Sequence, residues 1–167
     1  MMSLWTKHDL MSACKASDPT FNFLENYNSI SGISIDQRTI NEGDLFIALI
    51  GEKFDGHDFV ENAISKGACG ALVSDIRIAK KYNGLLVDDT KKALINIGKF
   101  ARNRFNGITI GITGSSGKTS TNYILSNALN QFGKTHKTLG NNNNIIGLSL
   151  TLSRLPHDYD FCVLELG

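Results

Sequence analysis

Nothing in this chain of 167 residues runs apolar for long enough to cross a bilayer, and its start, MMSLWTKHDLMSACKA, has neither a continuous apolar core nor a cleavage-site pattern. Neither a membrane span nor a secretory leader is expected, and the protein reads as cytoplasmic. Cysteine is scarce. Cys14, Cys69 and Cys162 lie far apart, with no C-x-x-C and no histidine at metal-ligand spacing. That excludes a thiol metal site and a dithiol redox pair, leaving reduced, mostly buried thiols. Charge of neither sign dominates, with Lys+Arg 17 against Asp+Glu 16. Basic residues pair only at Lys80-Lys81 and Lys91-Lys92, so there is no stripe for nucleic acid to follow. Internal repeats are absent, and the one low-complexity spot is Asn141 to Asn144.

What is present is globular: 41% hydrophobic and 20% charged residues, enough to bury a core in one domain or two small ones. Thr6 to Ala16 reads as a short helix capped by Thr6, with Leu10, Met11 and Cys14 on one face. Ile30 to Ile35 and Leu45 to Ile50 read as strands joined by the polar turn Asn41-Glu42-Gly43-Asp44. A helix over Asp58 to Lys66, stopped by Gly67, precedes a short strand over Gly70 to Val73. Ile76 to Tyr82 reads as helix and Gly84 to Val87 as strand. Thr90 to Phe105 is the clearest helix of this half, with Leu94, Ile97, Ala101 and Phe105 at helical spacing and Thr90 as its cap.

Asn106-Gly107 breaks that pattern, and we place a domain boundary there, giving units 1–106 and 107–167. The second unit alternates strand, Gly-rich loop, helix, strand, helix, strand. Ile108 to Thr113 opens it, Lys118 to Phe132 follows as helix, Ile146 to Leu155 is a helix ended by Pro156, and Phe161 to Leu166 is an apolar strand. The fold class is α/β: a small mixed α/β domain, then the start of a P-loop-type parallel sheet that stops short.

The loop between the first strand and helix of that unit carries the chemistry. In Thr113-Gly114-Ser115-Ser116-Gly117-Lys118-Thr119, glycines let successive N–H groups turn inward on phosphate oxygens. The helix N-terminus adds the positive end of its dipole, and Lys118 reaches the outer phosphates as a point charge. A Thr119 hydroxyl beside that lysine is suited to Mg²⁺. The general template asks for glycine at position 112, where this chain has Ile112. A plain turn ending in Lys-Thr is the rival; strand, glycines, Lys-Thr and helix coincide, so we read a phosphate cradle. Glu165, at the C-terminal end of an apolar strand, stands where α/β sheets place ligands, either as a metal carboxylate or as an ordinary strand-end glutamate.

The loop T-G-S-S-G-K-T resembles the ATP loop of the Mur ligase family, T-G-[ST]-x-G-K-[ST], which accounts for Ile112. "GNNNNIIGLSLTLSRL" (Gly140 to Leu155) resembles a segment of one branch, the MurF type, with Ser149 in place of its usual proline. "LELG" (Leu164 to Gly167) resembles a segment whose glutamate is a magnesium ligand. "SIDQRTINEGDLFIALIGEKFDGHDFVENAISKGA" is similar to the uridine-nucleotide domain shared by the MurE and MurF types, though Gln37 stands where a small hydroxyl residue is usual.

The resemblance implies ATP and Mg²⁺ as cofactors, with Thr113 to Thr119 on ATP, Thr119 and Glu165 on the metal, and Lys118 and Glu165 as catalytic groups. It implies a uridine-nucleotide domain over 1–106, with Ser34, Asp36, Arg38, Gly56 and His57 as candidate contacts. Without it, Asp36 and Arg38 make a surface ion pair, Ser34 is a solvated hydroxyl, and His57 caps a helix beside Asp58. It turns Asn141, Asn143 and Asn144 from a polar turn into candidate contacts to the sugar-nucleotide diphosphate. The implied reaction joins D-alanyl-D-alanine to UDP-N-acetylmuramoyl-tripeptide through an acyl phosphate at the expense of ATP, a step of peptidoglycan synthesis in cell-wall growth and division. Family members run on past the point matched by Gly167, so this stretch is expected not to ligate alone; a monomer is expected. A MurE-type ligase and a non-catalytic nucleotide-binding module are the rivals. His8, His136 and His157 are given no role.

Overall fold

A computed structural model describes residues 4–20, 22–25, 27, 29–140 and 142–167. It divides the chain into two units, Met1–Asn96 and Ile97–Gly167. The division falls inside a helix, whereas the sequence pattern breaks ten residues later at Asn106.

In the first unit, helix α1 (Lys7–Cys14) starts where the Thr6 side chain accepts the Asp9 N–H and ends at Lys15 in the left-handed region. Four strands, β1 (Gly32–Ser34), β2 (Asp44–Ile47), β3 (Gly70–Val73) and β4 (Leu85–Leu86), form one sheet in the order β1-β2-β3-β4. Every ladder in it is parallel. β2 and β3 are buried at every position, the pattern of strands covered on both faces. The polar turn at 41–44 therefore does not close a hairpin: residues 35–43 carry the chain back to begin β2 alongside β1.

β2 stops at Ile47 rather than Ile50, because the Leu49 N–H turns back onto the Ile47 carbonyl at 3.1 Å. A 3₁₀ turn (Gly56–Phe59) leads into α2 (Val60–Ser65), and Asp55, not Asp58, caps it by accepting the His57 N–H. Helix α3 (Ile76–Lys81) links β3 to β4. Phe46, Ala48, Val60, Ala63, Ala71, Val73 and Ala79 pack together as the core of this sheet and its helices.

Helix α4 (Thr90–Arg104) carries the expected stripe, with Leu94, Ile97, Ala101 and Phe105 all buried. Its cap is Asp89 rather than Thr90: the Asp89 carboxylate accepts the Lys92 N–H at 2.9 Å, and Thr90 is buried. In the second unit β5 (Ile108–Ile112), α5 (Lys118–Leu129), β6 (Thr135–Lys137), α6 (Ile145–Ser153) and β7 (Phe161–Glu165) follow in turn. Among the described residues the sheet order is β5-β7-β6, all parallel, so the third of these strands in sequence lies between the other two.

Successive β7 residues face opposite sides of the sheet. Cys162 and Leu164 join Phe105 and Leu155 in a core cluster, against which Leu148 and Leu152 of α6 pack. Glu165 points the other way, toward α5. Gly98 of α4 lies against α6: a Cβ there would stand 3.0 Å from the Ser149 carbonyl oxygen. Ser149 fits an apolar helix by donating its hydroxyl to the Ile145 carbonyl at 2.7 Å. Among the described residues no helix is long and apolar enough to cross a membrane.

Candidate functional site

The second unit builds its site at the C-terminal ends of β5 and β7. Gly117 has φ 77 and Gly114 φ 149, left-handed backbone that a side chain would strain, and this brings the loop round into α5. Thr113, Ser115 and Ser116 are exposed along that loop. The Lys118 ammonium group reaches back to donate to the Gly114 carbonyl at 2.7 Å. Thr119, one residue into the helix, donates its hydroxyl to both oxygens of Glu165, at 3.2 and 3.0 Å. Gly117, Lys118, Thr119, Ser120, Asn143 and Glu165 line one pocket of about 220 Å³.

Glu165 is 1% exposed, which removes the reading of it as a surface glutamate. Its partners are the Thr119 hydroxyl and the Asn143 amide, the latter at 3.3 Å, and among the described residues it joins no ion pair. A buried carboxylate attended by neutral donors is able to take a cation. Carboxylate and hydroxyl oxygens are the hard ligands Mg²⁺ takes, and Mg²⁺ needs only one or two from protein when phosphates supply others. The residues present fit that ion. Among the described residues no group of three or more His, Cys, Asp or Glu offers a denser metal site.

The Asn-rich stretch divides its labour. Asn143 stands beside Glu165 in the phosphate-loop pocket. The Asn144 side chain accepts the Gly147 N–H at 2.8 Å and caps α6, so its carbonyl is already taken. Asn141 lies outside the described residues. Pattern reading missed Thr138, whose hydroxyl accepts the Glu165 N–H at 3.0 Å, and Asn122, whose amide donates to the Thr138 carbonyl. A helical-wheel plot of α5 is the signal that finds Asn122, because it falls one turn after Lys118 on the inward face.

The first unit gathers its candidates around the ends of β1 and β2. Arg38 grips Asp36 through Nε and Nη2, at 2.9 and 2.7 Å, and the Arg38 side chain is 78% exposed. The side-chain hydrogen bonds from Arg38 hold the Asp36 carboxyl below its ordinary range. Ser34 is not solvated: it is buried and donates to the Asp36 carbonyl within its own loop. His57 is buried as well. The Ser74 N–H can only donate, so His57 Nε2 accepts it at 2.9 Å and the ring proton sits on Nδ1, 2.6 Å from Asp55 Oδ1. Both ring nitrogens are thus engaged within the chain.

Gly56 is a close-approach position, since a Cβ there would stand 2.7 Å from Leu49 backbone atoms. Ile35, Asp36, Gln37, Arg38, Phe46, Phe54 and Phe59 line a pocket of about 460 Å³. It brings together Asp36 and Arg38 but not Ser34, Gly56 or His57. The aromatic residues were missed; Phe54, 70% exposed, stands out as a large ring in a polar loop.

Known proteins resemble the chain along most of its length. Residues 29–102 match the family model described as Mur ligase family, catalytic domain, and residues 112–167 match that described as Mur ligase middle domain. The chain is similar to the UDP-N-acetylmuramoyl-tripeptide–D-alanyl-D-alanine ligase of Synechocystis sp., at 43% identity over 141 residues, covering 83% of this chain and 31% of that one. The ligase of the same name from Escherichia coli K12 is 40% identical, over 83% of this chain and 30% of its own. A crystal structure of MurF from Acinetobacter baumannii superposes with TM-score 0.79 at 34% identity, over 98% of this chain and 36% of that one. MurF ligase from Thermotoga maritima in complex with ADP gives TM-score 0.58 at 34% identity, over 80% and 31%. The chain spans about three tenths of the length of the curated relatives it matches.

Proposed function

The chain belongs to the Mur ligase family, on its MurF branch, and from that premise we propose that it supplies the uridine-nucleotide unit and the phosphate loop of an ATP-dependent ligase. The ligase adds D-alanyl-D-alanine to UDP-N-acetylmuramoyl-tripeptide in the cytoplasm, as a monomer, during peptidoglycan synthesis. The observation that carries this is the meeting of Lys118, Thr119 and Glu165 in one small pocket at the strand ends.

There the loop N–H groups and Lys118 bind and orient the ATP phosphates, and Lys118 neutralises the γ-phosphoryl as it passes to the tripeptide carboxylate. Thr119 and Glu165 would hold Mg²⁺, which would supply charge neutralisation to the phosphates. Asn143 orients the Glu165 carboxylate by donating its amide to Oε1. The phosphoryl transfer releases ADP, and the acyl phosphate is then attacked by the D-alanyl-D-alanine amine, which loses a proton as the amide forms and phosphate leaves.

At the first unit, Phe54 and Phe59 offer faces for a pyrimidine ring and Arg38 a charge for phosphate, with Asp36 holding that guanidinium in place. Ser34, Gly56 and His57 support this rim by shaping its loops. Since no described residue is assigned to the incoming amine, the stretch is proposed to bind both nucleotides without forming the amide. Calorimetric titration with ADP in Mg²⁺, then with UDP-N-acetylmuramoyl-tripeptide, tests the reading; failure of the folded chain to bind ADP would sink it.

A further inference from the structure

Helix α5 buries a polar stripe. Lys118, Asn122 and Ser126 recur every fourth residue, and Asn122 and Ser126 are buried to 2% and 0% exposure. Apolar residues are the ordinary occupants of an inward helix face, and a buried amide is costly unless paired. Here the buried groups are paired. Ser126 donates to the Asn122 side-chain carbonyl at 3.1 Å, Asn122 donates to the Thr138 carbonyl at 3.2 Å, and the Thr138 hydroxyl accepts the Glu165 N–H at 3.0 Å. A buried path therefore runs from the helix that carries Lys118 and Thr119, through the loop after β6, to the backbone of Glu165. It closes where Glu165 accepts the Thr119 hydroxyl.

Building on the reading of this pocket as the Mg²⁺-nucleotide site, we infer that Asn122 and Thr138 are positioning residues for it. Neither lines the pocket. They set the separation of the Thr119 hydroxyl from the Glu165 carboxylate, and with it how much Mg²⁺ adds to nucleotide affinity. A leucine at 122 would satisfy the packing of α5; it would not hold the strand end at a fixed distance from the helix start.

The test is calorimetry of ADP binding with and without Mg²⁺ on the wild type, Thr138→Val, Thr138→Ser and Asn122→Leu. Valine keeps the shape and strands the Glu165 N–H, whereas serine keeps the acceptor. The Mg²⁺-dependent gain in affinity is expected to fall about tenfold or more in Thr138→Val and Asn122→Leu, the usual effect of losing an outer-shell partner. Affinity without Mg²⁺ should stay close to wild type, and Thr138→Ser should retain the gain. An unchanged gain in Thr138→Val overturns the inference, as does an equal loss with and without metal that tracks a lower unfolding temperature. Should Thr138→Val fail to fold, Asn122→Leu decides, and a full gain there overturns it. A wild type whose ADP affinity ignores Mg²⁺ would instead overturn the reading of the pocket, and the inference with it.

Discussion

Thr119 and Glu165 stand 46 positions apart in the chain, yet the hydroxyl of one donates to both carboxylate oxygens of the other. The start of a helix and the end of a strand thus face each other across a pocket that also holds Lys118. The chemistry proposed for that pocket rests on charge placed opposite charge-seeking oxygen.

Lys118→Ala removes the ammonium group and its bond to the Gly114 carbonyl, while alanine keeps the helix. ADP affinity in Mg²⁺ should fall at least about tenfold, one charge-assisted contact of about 1.5–3 kcal/mol. Calorimetry on the two proteins measures this directly; equal affinities would reduce the loop to a turn.

Arg38→Ala should leave stability nearly unchanged, because its partner Asp36 and its own side chain are partly or largely in solvent. Binding of UDP-N-acetylmuramoyl-tripeptide should weaken about tenfold if Arg38 meets a phosphate. NMR shifts on titration should cluster at residues 35–38 and at Phe54 and Phe59. Binding that survives intact would return the pair to a surface decoration.

His57→Phe should do the opposite. It preserves ring volume but leaves the Ser74 N–H without its 2.9 Å acceptor and Asp55 without its ring partner. A loss of about 1–3 kcal/mol in urea unfolding is expected, with Arg38-dependent binding retained in the folded fraction. Abolished binding at unaltered stability would make His57 a direct ligand.

Gly98→Leu should force α4 away from α6, since even the first side-chain carbon would stand 3.0 Å from the Ser149 carbonyl oxygen. Overpacking of this kind costs about 1–3 kcal/mol. A melting temperature equal to wild type would show that the two helices separate freely there.

Acid should destabilise the first unit in a defined window. Side-chain hydrogen bonds from Arg38 lower the Asp36 carboxyl, the His57 N–H lowers that of Asp55, and Arg77 brings Asp75 down to about 2. A carboxyl depressed on folding stabilises above its unfolded value, near 3.8, and loses that contribution as pH falls through the folded value. Thermal unfolding should therefore be insensitive to these groups from pH 7 to about 5 and drop below about 4. A profile that is flat to about pH 2 would contradict it.

Much of this was open to pattern reading because it depends on local spacing. The stripe Leu94, Ile97, Ala101 and Phe105 is buried as its period required, and the Gly-Lys-Thr turn sits between a strand and a helix. What pattern reading could not reach depends on partners distant in sequence. Thr138 looks like a surface residue until its carbonyl is seen to accept from Asn122 and its hydroxyl from the Glu165 N–H. His57 invites a ligand until Ser74, 17 positions on, takes its second nitrogen. The same limit hid the pairing of β1 with β2, since a polar turn reads alike whether the next strand runs back or starts again alongside.

Strand order also sets a timetable for synthesis. β5 and β6 both pair with β7 and lie on either side of it, so neither finds its neighbour until the ribosome has delivered residues 161–165. At ordinary elongation rates that leaves two strands waiting for a period on the order of seconds. The phosphate loop is thus translated early and finished late. A nascent chain halted before Phe161 carries Lys118 and Thr119 with no carboxylate opposite them, and nucleotide affinity should appear only as β7 is laid down.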